Sequence, residues 1–247
     1  MTEIGLPSGV RACLFDLDGV LTPTARVHAA AWKEVFDEFL RRREGPDCRP
    51  FDPVTDYDAH VDGRPRAEGV RAFLASRDIE LPEGEEDDPP DAETVHGLGN
   101  RKNLLVVEKI RTQGVRPYPG SVRYLEAVRD AGLRTACVSS SANARAVLVS
   151  AGIEPLVDVR IDGLVGRERG LRGKPQPDTF LAAAHDLGVA PEQAAVFEDA
   201  LVGVDAGRAG RFGYVVGVDR VGQAEELRRH GADTVVTDLS ELVGVTA

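Results

Sequence analysis

A chain of 247 residues with 42% hydrophobic and 29% charged side chains can bury one ordinary core and a small additional module, which excludes disorder, collagen and coiled coil. Thirty Lys and Arg against 41 Asp and Glu give a formal charge of -11, which repels phosphate backbones and anionic lipid surfaces and argues against nucleic-acid and membrane partners. No run approaches the roughly 18 apolar residues of a membrane span, and no charged-then-apolar signal pattern opens the chain. Cys13, Cys48 and Cys137 are an odd number at wide spacings without a CxxC pair, so neither a disulfide framework nor a zinc site is expected. Cys13 and Cys137 lie in apolar runs and read as core. The expectation is a cytoplasmic monomer.

In chain order, the first strand is expected over 10–15. Helical spacing follows in Val27, Val35, Phe36, Phe39 and Leu40, with Trp32 beside them in a packing role, and ends near Gly45-Pro46. The stretch 82–91 (PEGEEDDPPD) cannot bury a core and reads as a solvated loop, the alternative being a flap that tunes entry to a site. A helix over 121–131 places Val122, Leu125 and Val128 on one face, followed by a strand over 133–138 and an edge strand over 157–161. A helix over 177–187 carries Phe180, Leu181, Ala184 and Leu187, and strands follow at 194–197, 214–218 and 234–236. Gly132 and Gly188 fit C-terminal helix caps. Short apolar runs separated by helical stretches indicate α/β architecture: a Rossmann-like parallel sheet core from 1–24 and 113–247, interrupted by an inserted α-helical cap domain over 25–112.

The first strand runs into Asp16-Leu17-Asp18-Gly19-Val20-Leu21-Thr22, and in open α/β sheets ligands bind beyond the carboxyl ends of the strands. Alternation points Asp16 and Asp18 the same way, while Gly19 permits a sharp turn. Like charges about 4 Å apart repel by roughly 4 kcal/mol at an effective dielectric near 20, which favours a bound cation or one protonated carboxyl. Such aspartates also serve as caps and turn residues; the pair gains meaning because two further strands end in Ser139-Ser140-Ser141 and in Glu198-Asp199, with Lys174 at a turn between them. The carboxylates are the hard oxygen donors Mg²⁺ prefers, and Lys174 and Ser139 suit phosphate oxygens. The glycines of 203–213 lack GxGxxG spacing, and Gly173-Lys174 is followed by proline where a Walker loop needs serine or threonine. That tract reads as close helix packing.

This ordered set of motifs resembles the haloacid dehalogenase superfamily over nearly the whole chain, and 24–33, 61–66 and 100–103 resemble the cap of the β-phosphoglucomutase family. The resemblance implies Asp16 as nucleophile and Asp18 as general acid/base. It implies Mg²⁺ on Asp16, Asp199 and the Asp18 carbonyl, with Glu198 alongside. Ser139 and Lys174 would hold the transferring phosphate with the amides of Leu17, Asp18 and Ser140. Arg66, Ser141 and Asn143 would hold a distal phosphate, Gly63 and Arg64 the sugar, and His28 and Lys102 would align Asp18 or the substrate. Thr24 matches the family at the hinge. Ala142 stands where the family commonly has a lysine, with Arg145 as a substitute cation.

The activity so implied is interconversion of β-glucose 1-phosphate and glucose 6-phosphate through β-glucose 1,6-bisphosphate, a small-molecule sugar-phosphate reaction. A Mg²⁺-dependent sugar-phosphate phosphatase shares every core residue and is the alternative. A sugar-phosphate sensor is a third reading, against which the retention of both Asp16 and Asp18 argues.

Overall fold

The structure, a computed structural model, describes residues 3–245. They divide into two compact units, one formed by the chain up to Pro23 and from Val115 onward, the other by Thr24–Gly114. Among the described residues no helix is long and apolar enough to cross a membrane.

The second unit is helical: α1 (Ala25–Glu44), α2 (Thr55–His60), α3 (Arg66–Ala75) and α4 (Val95–Gln113). One face of α1 buries Trp32, Val35, Phe36, Phe39 and Leu40; Phe36 stacks 4.9 Å from Trp32 and lies tilted 4.1 Å from Phe73. The helix stops at Gly45, whose φ of 93° favours glycine, as the Gly45-Pro46 signal led one to expect. The acidic stretch 82–91 is an exposed loop without helix or strand. It is tied to its own unit: Glu83 pairs with Arg71, Thr94 donates to Asp88 at 2.5 Å, and Asn100 donates to the carbonyls of Glu86 and Asp88 at 3.0 and 2.9 Å. These bonds speak against the flap alternative.

The first unit is built on six parallel strands, β1 (Ala12–Phe15), β2 (Arg134–Val138), β3 (Val159–Ile161), β4 (Ala194–Glu198), β5 (Tyr214–Val218) and β6 (Thr234–Val236), in the order β3-β2-β1-β4-β5-β6. Helices α5 (Pro119–Asp130), α6 (Ala144–Ser150), α7 (Gly163–Glu168), α8 (Asp178–Asp186), α9 (Leu201–Ala209) and α10 (Ala224–His230) connect them. This is the α/β sheet anticipated from the sequence. The central strands are buried on both faces, so their apolar runs are continuous.

Side-chain alternation separates two half-cores. Ala12, Leu14, Ala136, Val138, Ala194 and Val196 pack with Phe180, Ala183 and Ala184 of α8 and Val204 of α9. Phe15 faces the other way and stacks on Phe197, 4.4 Å away, with Tyr124 of α5 against its edge. Both thiols in the central strands, Cys13 and Cys137, are fully buried, and burial pushes each well above the ordinary thiol range, which makes them inert packing groups.

The element ends differ from sequence expectation by a few residues for local reasons. Pro119 starts α5 two residues before 121, because its fixed φ suits the first helical turn. Val10 bonds back to the Pro7 carbonyl at 3.0 Å, so β1 opens at Ala12. Gly132 and Gly188 do stop their helices. Each has positive φ, and Leu133 N–H→Val128 O and Val189 N–H→Ala184 O close the six-residue turns characteristic of glycine-terminated helices.

Candidate active site

Asp16 follows β1, and its N–H donates to the Phe197 carbonyl at 2.9 Å, extending the β1–β4 register by one residue. The same register brings Val138 and Glu198 alongside, and parity turns Asp16 and Glu198 toward the α8 face of the sheet. The turn before α8 delivers Lys174 to this row. Its ammonium donates to Asp16 Oδ1 at 2.5 Å, to the Val138 carbonyl at 3.2 Å and to Glu198 Oε1, and it stands 5.0 Å over the Phe180 ring.

Burial pushes the Asp16 carboxyl up; Lys174 opposes that and the Asp18 charge adds to it. Burial pushes Glu198 up to about 8 against the pull of Lys174. For Lys174, burial disfavours the charge, but Asp16 and Glu198 outweigh it and hold the ammonium above its usual range.

Asp199 completes an acidic cluster. Asp16, Glu198 and Asp199 each offer a carboxylate oxygen, all within 4.8 Å of one another, and all three residues are buried. Asp16 and Glu198 share the ammonium of Lys174, Asp199 lies beside them, and the donors are hard oxygens. That donor set fits a divalent cation of the Mg²⁺ class.

Two glycines permit the packing. A Cβ on Gly203, in the first turn of α9, would overlap the Glu198 carboxylate, and one on Gly19, at φ 99°, would overlap that of Asp199. The sequence reading assigned the 203–213 tract to close packing; what it missed is that Gly203 packs on a site carboxylate. Gly19→Ala is therefore expected to displace Asp199 and weaken Mg²⁺ binding about tenfold or more, measured by calorimetry. Unchanged affinity would show that the close approach carries no function.

Asp18 lies on a tightly closed loop. Its Oδ2 lies 3.5 Å from Ser139 Oγ. Leu21 and Thr22 both return their N–H groups to the Leu17 carbonyl, at 3.0 and 2.9 Å, and the buried Thr22 hydroxyl joins them at 3.2 Å. The role of Thr22 went unread in the sequence, although its place six residues after Asp16 was visible. Beyond β2, Ser139 Oγ accepts from Ser141 N–H at 3.1 Å and Ser141 Oγ from Asn143 N–H at 3.2 Å. Ser140 lies between them, and its carbonyl is approached so closely by Gly163 that a side chain there would clash. Arg145, offered as a substitute cation for the missing lysine at Ala142, instead bonds Glu154 at 3.2 Å on the surface.

The helical unit holds the other sequence candidates. Lys102 Nζ lies 2.7 Å from His28 Nδ1 and 4.9 Å over the Trp32 ring, so Trp32 supports a cation as well as packing. Burial, then Lys102, drives His28 well below its usual range; the neutral imidazole accepts from the ammonium. Gly63, at φ 68°, and Arg64 form the turn before α3. Arg66 opens that helix with its aliphatic stem against Gly99 of α4. Thr24 is buried and its carbonyl receives the His28 N–H at 2.9 Å.

A haloacid dehalogenase-like hydrolase family model matches residues 10–211. A β-phosphoglucomutase of Mycobacterium bovis is 58% identical over 246 residues, covering 97% of this chain and 94% of the relative. The chain belongs to the β-phosphoglucomutase family of haloacid dehalogenase-like hydrolases. Another member of this family, the β-phosphoglucomutase of Bacillus subtilis, is 32% identical, covering 94% of this chain and 92% of its own. A crystal structure of β-phosphoglucomutase from Clostridium difficile superposes with a TM-score of 0.74 at 27% identity, covering 94% of this chain and 93% of that one.

Proposed function

We propose that this chain is a β-phosphoglucomutase, interconverting β-glucose 1-phosphate and glucose 6-phosphate through β-glucose 1,6-bisphosphate. The single observation that carries the reading is the buried row of Lys174, Asp16 and Glu198 at the sheet rim, with Asp18 two residues beyond Asp16 and its charge acting on the Asp16 carboxyl. A sensing module needs no such pairing of nucleophile and proton shuttle.

In this reading Asp16 carries the phosphoryl group. The 6-hydroxyl of β-glucose 1-phosphate attacks it, the bond from Asp16 to phosphorus breaks, and Asp18 takes the hydroxyl proton. The bisphosphate turns end for end. Asp16 then attacks the phosphorus at C1, the bond from O1 to phosphorus breaks, and Asp18 returns its proton to O1, giving glucose 6-phosphate and the phosphorylated enzyme. Lys174, the Ser139 hydroxyl and the amides of Leu17, Asp18 and Ser140 hold the transferring group. Asp16, Asp199, the Asp18 carbonyl and Glu198 are the residues that would hold Mg²⁺, which when bound offsets charge on the phosphoryl oxygens.

Arg66, Ser141 and Asn143 are assigned to the distal phosphate, Gly63 and Arg64 to the sugar, His28 and Lys102 to alignment, and Thr24 to the hinge. A sugar-phosphate phosphatase would use the same core groups with water as the attacking hydroxyl. A coupled assay with β-glucose 1-phosphate, Mg²⁺ and a trace of β-glucose 1,6-bisphosphate separates the two. Bisphosphate-dependent glucose 6-phosphate is the expected product; inorganic phosphate as the main product would replace the mutase with the phosphatase.

A further inference from the structure

The bend at Gly19 leaves the Gly19 and Val20 carbonyls outside the strand ladder, and backbone oxygens so placed need donors. Arg220, two residues beyond the end of β5, supplies them. Its Nε donates to the Gly19 carbonyl at 2.6 Å, its Nη2 reaches the Val20 carbonyl at 3.5 Å, and its Nη1 donates to the Thr237 carbonyl at 2.6 Å. The guanidinium lies 3.8 Å over the Tyr118 ring, and Tyr118 N–H itself donates to the Leu21 carbonyl at 3.0 Å. Ser121 Oγ adds a second donor to the Val20 carbonyl at 2.7 Å.

The segment that aims this arginine is itself held. Asp219 Oδ1 accepts from the N–H groups of Val221, Gly222 and Gln223 at 3.2, 2.7 and 2.9 Å, and Asp219 N–H bonds the Val236 carbonyl at 2.8 Å. Gln223 Nε2 donates to the Asp199 carbonyl at 2.9 Å. One short loop thus grips both the Asp18–Val20 turn and the residue that ends the acidic cluster.

We propose that Arg220 is a positioning residue for Asp18. Its planar fork fixes the Gly19 peptide, and with it the direction in which the preceding aspartate presents its carboxyl. A lysine in its place would supply a point charge without the two-carbonyl fork or the flat face stacked on Tyr118. The inference rests on the reading of Asp18 as general acid/base, so its test separates a step that needs the proton from one that does not.

The full chain with Mg²⁺ is assayed as Arg220→Gln and Arg220→Lys. Phosphorylation of Asp16 by p-nitrophenyl phosphate expels a nitrophenolate that leaves without a proton, and its rapid release is expected to stay within about threefold of the parent. Turnover of β-glucose 1-phosphate needs Asp18, and its kcat in Arg220→Gln is expected to fall about 100-fold with KM changed by less than about threefold. Arg220→Lys should recover part of the kcat. Equal losses in both reactions, or no loss in either, would overturn the assignment.

If Arg220→Gln does not accumulate as folded protein, Tyr118→Leu, which removes the stacking face and keeps the arginine, is the deciding variant. It should show a smaller split of the same sign, and absence of a split overturns the proposal. Should the parent chain release only inorganic phosphate, the mutase reading fails independently. The brace is then judged by the ratio of nitrophenolate release to steady-state hydrolysis, whose second step also uses Asp18.

Discussion

Asp16→Asn is expected to lower turnover of β-glucose 1-phosphate by about 10⁴-fold or more, because an amide oxygen cannot form the acyl phosphate that divides the transfer into two steps. The substitution leaves the fold in place for a specific reason. Asparagine keeps the shape of the side chain, and its carbonyl can still accept from Lys174. It removes one of the two buried carboxylates that share the Lys174 ammonium and leaves Glu198 paired with it, so the metal-free protein loses little stability. Mg²⁺ affinity should drop, since a ligand charge is gone. Rapid release of nitrophenolate should vanish with turnover, and mass spectrometry of the intact protein should detect no phosphorylated species. Activity above about 1% of the parent would remove Asp16 from the role of nucleophile.

Much of this arrangement could be read before any coordinates, and the reason is geometric. Parallel strands end at one rim, so polar residues that directly follow apolar runs must gather there; this located Asp16, Asp18, Ser139, Glu198 and Asp199 without knowledge of the strand order. Lys174 could be placed near them because it sits at a turn between two such strands. What pattern cannot supply is the partner of a polar group. Nothing in the spacing showed that Lys174 bridges Asp16 and Glu198, a fact of register and side-chain parity across three strands. Nor could it show that Gly203 and Gly19 yield their side-chain space to two carboxylates, or that Arg220 reaches back to the Gly19 carbonyl. Arg145 shows the same limit. A nearby positive charge looked like a replacement for a missing lysine, and a surface glutamate claims it.

The second large effect is expected at Lys174, and here stability and activity should separate. Lys174→Met keeps an unbranched stem that can lie against Phe180 but leaves Asp16 and Glu198, both buried, facing each other without the ammonium between them. Removing one member of a buried ionic set costs about 3–5 kcal/mol, because the remaining charge is neither solvated nor paired. Denaturant unfolding in the presence of a chelator should show a loss of that size, and Mg²⁺ in excess should return part of it by binding the native carboxylates. A second change, Glu198→Gln, removes the repulsion and should restore stability in the chelated state by more than the sum of the single effects allows. Turnover, by contrast, should fall at least about 100-fold in Lys174→Met and stay low in the double variant, since the phosphoryl oxygens have lost their cation in both. A Lys174→Met protein destabilised by less than about 1 kcal/mol under chelation would mean that the row is solvated or protonated enough to dispense with its lysine. A double variant that regained turnover along with stability would reduce Lys174 to a structural counter-charge.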